Sequence, residues 1–185
     1  DIWEAAIAQL DQRISTLEDH EIAVGLMKIV ALAGDGHSRT FPFFVEQGYL
    51  SRQKGLFAVV PAMFHLFEDG LFIRAAREDY AEAVGARVLR IGGTPAEHIL
   101  ESISPVVFQD NFMQVKRHGP SLLACPAILH ALGMVESREY LDVLLQKEQD
   151  EPFAVRFQKD AQVPQPPRSF PVDRSEERRG GKEGR

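Results

Sequence analysis

Met63-Phe64-His65-Leu66-Phe67-Glu68-Asp69-Gly70-Leu71-Phe72-Ile73-Arg74-Ala75 is the stretch whose reading decides the fold. Two apolar, aromatic-rich runs, Met63–Phe67 and Leu71–Ala75, flank Glu68-Asp69-Gly70. An Asp-Gly pair between such runs is a strong short-range signal for a β-hairpin. Outward from it, strand-like runs recur at Leu56–Val60, Arg87–Ile91, Tyr140–Gln146 and Phe153–Phe157. Helical patterns interleave with them at Asp79–Val84, Pro95–Ser102 and Ser121–Leu132, with Thr94 and Ser121 placed as N-caps of the last two. Gly92-Gly93 reads as a turn before Pro95, and lacks the spacing of a nucleotide-binding fingerprint. Strands and helices mixed in this way predict an α+β chain.

The block before residue 39 is helical. Ile2, Trp3, Ala6, Ile7, Leu10, Ile14 and Leu17 recur at threes and fours, and a second helix runs from about His20 to Ala33. Its expected buried stripe is Ile22, Leu26, Ile29, Val30 and Ala33. Glu18-Asp19-His20-Glu21 puts acids in the first turn, favourable against the helix dipole. Gly34-Asp35-Gly36 ends the helix, because glycine accepts left-handed geometry at no steric cost. The expected organisation is a helical pair over 1–38 and a connecting segment over 39–55 with one short strand, Thr40–Val45. An alternating module follows over 56–159 with a helical insertion at about 105–138, then a Pro-rich linker over 160–173 and a charged tail over 174–185. The tail resembles translated sequencing adapter; the alternative is a natural charged tail. The chain opens at Asp1 directly into the helical pattern, so a start inside a gene product is expected and no signal peptide.

The 185 residues are 44% hydrophobic and 26% charged, which excludes disordered and collagen-like classes. A formal net charge of −6 argues against a general nucleic-acid partner. No apolar run is long enough to span a bilayer. The single Cys125 excludes an internal disulfide, and no cofactor is expected. His118, Cys125 and His130 are not at recognised ligand spacing, so no metal is expected either. The Phe residues at 41, 43, 44, 57, 64, 67 and 72 read as core.

Two stretches carry candidate chemistry. Gly34-Asp35-Gly36-His37-Ser38 sets an imidazole on a turn just past a helix end, where it can serve as a general base. The alternative is a capping turn whose histidine only bonds a carbonyl. Asp35 is placed to hold the ring, although a residue two away usually points elsewhere. The second candidate is Gly70, Leu71, Phe72 and Ile73, which can receive a peptide as an added strand, backbone amides near the glycine turn capturing a terminal carboxylate. The alternative there is a plain hairpin, and Asp69 beside the cradle opposes a carboxylate.

Gly25–Ala33 followed by Gly34-Asp35-Gly36-His37-Ser38 resembles the helical segment ending in Asp-Gly-His-Thr/Ser of the tail-specific (C-terminal-processing) serine peptidases and their tricorn-like relatives. Val60–Phe64, Phe67–Ile73 and Gly85–Pro95 are similar to the PDZ-like module of that family, and Pro126–Gly133 to a helical insertion in some members. The resemblance covers about residues 20–158. It implies a PDZ-like fold for the alternating module and a parent enzyme that cleaves peptide bonds by acyl transfer. His37 matches the base of members with a Ser-His-Glu arrangement; other members use a Ser-Lys pair. No Gly-x-Ser-x-Gly elbow is present, so the nucleophile is expected in a missing C-terminal catalytic domain and these residues alone are expected to be inactive. The implied partner is a peptide or protein substrate. Members often act outside the cytoplasm, but the compartment is not legible here. The alternative reading is a non-catalytic PDZ-like module that binds peptides or proteins.

Overall fold

The computed structural model describes residues 1–38, 56–148 and 150–160. The expected strand Thr40–Val45, Phe41, Phe43 and Phe44, the Pro-rich linker and the charged tail lie outside them. The fold is α+β and begins with two helices, α1 (Ile2–Arg13) and α2 (Asp19–Ala31). Strands β1 (Ala62–Phe67), β2 (Gly70–Ala76), β3 (Arg87–Ile91) and β4 (Thr94–Pro95) follow, then helices α3 (Ala96–Ile103), α4 (Phe112–Leu122) and α5 (Pro126–Ala131). Strands β5 (Tyr140–Gln146) and β6 (Phe153–Gln158) close the order.

The six strands form one antiparallel sheet in the order β1-β2-β3-β5-β6, with β4 paired to β3. The hairpin forms where Asp69-Gly70 predicts it, with Phe67 opposite Gly70. Alternation sets the faces: Leu71, Ile73 and Ala75 of β2 and Leu141, Val143 and Leu145 of β5 point inward and are buried. They meet Ile99, Ile103, Val115, Leu122, Ile128 and Leu129 from the helices, and Val24 and Met27 of α2 join the same continuous core.

Several local expectations are corrected. Leu56–Val60 is not a ladder strand: Val59 makes one isolated bridge to Asp160, and the Val60 amide donates to the Ala124 carbonyl at 2.7 Å. Pro61, with no N–H to give, ends any pairing there. Asp79–Val84 is a 3₁₀ turn, Glu78–Ala83, rather than an α-helix. Thr94 caps nothing; it lies in β4, and Pro95 occupies the N-cap position of α3 without a side-chain bond. Ser121 is not a cap either. It sits in the last turn of α4, whose N-cap is Asn111, the side-chain oxygen accepting from the Met113 amide at 3.0 Å. Gly119-Pro120 looks like a breaker, yet α4 runs through it. Proline at that point costs one helical hydrogen bond. Burial of Val115, His118, Pro120 and Leu122 offsets it, and Gly119 lets α3 approach, a Cβ there meeting Leu100 and Ile103 at 3.3 and 3.4 Å. The buried stripe of α2 is also rotated from the expected one: His20, Val24, Met27 and Ile29 are buried, whereas Leu26 is 52% exposed. Phe67, read as core, is 49% exposed at the hairpin tip, where it stacks edge-on with His65 and Phe72.

Candidate functional site

His37 follows the left-handed Gly34 (φ +60°) that terminates the second helix. The turn rests on the start of α4: a Cβ on Gly36 would lie 3.0 Å from Gln114 Nε2 and 3.5 Å from the Asp110 carboxylate. The His37 side chain is 90% exposed. Asp35 does turn toward it. Its Oδ1 accepts from the His37 amide at 3.0 Å and lies 3.4 Å from His37 Nδ1, a long contact, while Oδ2 accepts from Ser38 Oγ at 2.8 Å. The Ser38 hydroxyl, then the His37 amide, hold the Asp35 carboxyl below the usual aspartate range. An imidazole oriented on Nδ1 by a carboxylate has the tautomer a general base needs at Nε2. Ser38 is committed to Asp35, so it is not the attacking hydroxyl. Among the described residues no serine bonds the ring.

The second candidate is divided by the pleat. Gly70 and Leu71 border a cleft of about 270 Å³ whose other walls are Leu66, Arg87, Val88 and the α3 residues Ala96, Glu97, Ile99 and Leu100. Phe72 stacks with Phe67, and Ile73 is fully buried in the core; neither lines the cleft. Beside the cleft, β2 and β3 share one ladder pair, Phe72 opposite Arg87, with the Ile73 amide donating to the Ala86 carbonyl at 3.0 Å and the Gly85 amide to the Ile73 carbonyl at 2.8 Å; the start of α3 supplies the remaining wall. Arg87 is the residue that sequence reasoning missed. Its guanidinium lies against Gly70, with Nε 3.0 Å from where a Cβ would stand. Asp69, expected to oppose an anion, is exposed and does not line the cleft.

Two other hollows are less suited. One, about 550 Å³, runs beside Arg90, Gly92, Tyr140 and Asp142. Its Asp142 carboxylate is taken by both nitrogens of the Arg156 fork at 2.7 and 2.8 Å, and that guanidinium covers the Tyr140 ring at 4.0 Å. The other, about 350 Å³, is the furrow between α1 and α2. Cys125 is buried, and burial pushes its thiol up to about 12, which leaves it an inert core group. Among the described residues no three His, Cys, Asp or Glu side chains converge as a metal site, and no helix is long and apolar enough to cross a membrane.

Sequence reasoning did not connect His20 with His130, which meet across the core although 110 residues separate them: His20 Nε2 is 2.9 Å from His130 Nδ1. The available signal was a histidine at the head of the stripe that continues through Val24 and Met27. In comparison with known proteins, the chain matches no family model, no curated protein and no solved structure.

Proposed function

We propose that this chain is the peptide-handling part of a serine peptidase of the tail-specific type, and that the cleft between β2 and α3 receives the free C-terminal end of a peptide. The observation that supports it is the juxtaposition of Arg87 with Gly70 at the mouth of an apolar cleft. Leu66, Leu71, Val88, Ile99 and Leu100 offer a floor for a terminal apolar side chain, and the guanidinium offers a charge-assisted pair of hydrogen bonds to a carboxylate. Glycine at position 70 keeps the approach open, since a side chain there would press on the arginine. The test is binding of a fluorescent hexapeptide ending in leucine, as free acid and as amide. The acid binds at least about tenfold tighter, and Arg87→Gln removes most of that difference. Equal affinity of the acid and amide overturns the reading.

His37 supports the catalytic half of the proposal. An exposed imidazole held on one nitrogen by Asp35 can take a proton from a serine supplied by another part of the parent protein and return it to the leaving amine. In the intact gene product, His37→Ala lowers peptide hydrolysis by at least about 10³-fold while leaving peptide binding in place. Near-normal turnover leaves the second reading, a non-catalytic PDZ-like peptide-binding module, which the cleft serves equally well.

A further inference from the structure

We propose that His20 and His130 form a proton-operated latch, holding the α1–α2 hairpin on the rest of the fold while the pair carries at most one positive charge and releasing it when a second proton arrives. His20 lies in the first turn of α2 and is fully buried. His130 lies in the last turn of α5, one of the elements against which α2 packs. Ring nitrogens 2.9 Å apart share one proton, one donating and the other accepting. The remaining nitrogen of His20, Nδ1, is buried with no hydrogen-bond partner; Glu18 Oε2 is 3.7 Å away, beyond bonding reach.

Proton counting gives the switch. A first added proton goes to an outer nitrogen and leaves the bridge intact, an imidazolium donating to an imidazole. A second requires a proton on both bridging nitrogens, so two N–H groups face each other and two cations share a dry contact. The groups acting on His20 are His130 from α5, Glu18 and Glu21 from the start of α2, and Arg138 beyond α5. The two carboxylates favour the charged ring, but Glu18 is itself paired with Arg138. Burial, then His130, outweigh them and hold His20 below the ordinary histidine value of 6.5. A base whose folded value is lowered binds fewer protons than in the released state. Docking is therefore fully stable above pH 6.5 and weakens as pH falls below it. Release would uncover Val24 and Met27, which α2 itself buries in the shared core.

Amide hydrogen exchange on the whole chain at pH 7.5 and 5.0, corrected for intrinsic rates, tests this. Protection of Val24 and Met27 falls at least about tenfold at the lower pH while that of Val143 in β5 holds, and His130→Gln, which keeps an acceptor but takes no charge, abolishes most of the change. Protection of α2 that is independent of pH, or lost equally in His130→Gln, overturns the latch. Should that variant not fold, ring-proton titration of the wild-type histidines decides. A His20 midpoint well below 6.5 sustains the proposal, and one at or above 6.5 refutes it.

Discussion

Asp35 does two jobs with one carboxylate, and they are separable. One oxygen closes the turn through the His37 amide and touches the ring; the other takes the Ser38 hydroxyl. Because the folded carboxyl titrates below its ordinary value, the turn is steadied above that value and loses this support as pH falls through the lowered one. Ser38→Ala removes the larger cause and moves the Asp35 midpoint up toward the ordinary aspartate value, read by carboxyl-carbon NMR titration; an unmoved midpoint contradicts the assignment. His37 itself was legible, since a glycine-broken helix end followed by Asp-Gly-His announces a pinned, exposed imidazole. Arg87 and the His20–His130 contact were not. Nothing in local sequence says that an arginine opening one strand will lie against a glycine opening another, or that residues 110 positions apart will share a proton.

Elements were legible in proportion to how strictly their pattern excludes alternatives. β5 reads true to the residue because period-two alternation between turns admits one register. β3 also spans the expected Arg87–Ile91, although a register shift between Val88 and Arg90 breaks its alternation. The face of α2 was misread because apolar residues surround it, so periodicity does not choose a stripe; packing against α5 and the 3₁₀ turn Ser104–Val106 chooses it. The helix start expected at Ser121 failed for a related reason: tertiary burial of α4 outweighs the intrinsic breaker Gly119-Pro120 near its end. Burial also ranks the elements energetically. In α3, Ile99 is fully buried against the sheet, whereas α1 has no buried residue and Ile7 is 53% exposed. Ile99→Ala costs about 2–5 kcal/mol. Ile7→Ala changes stability by no more than about 0.5 kcal/mol. Urea unfolding of the two variants checks the contrast, and comparable losses would show that α1 is held far more firmly than its burial implies.

Across the whole molecule, one core joins α2, the sheet and the α3–α5 layer, and the chemistry sits at its margins. His37 stands on the turn against α4, and the cleft opens between the start of β2, β3 and the start of α3. The α+β class followed from counting alternating runs; the cleft did not, because its walls come from β1, β2, β3 and α3 together, which no single element's pattern encodes. The most direct test of the account is to map amide chemical-shift changes as the leucine-ended hexapeptide acid is added. The account predicts that the largest changes fall on Gly70, Leu71, Val88 and the start of α3, and that the amidated peptide leaves them nearly still. Changes centred instead on the Arg90–Asp142 hollow or the α1–α2 furrow, or no changes, would contradict it.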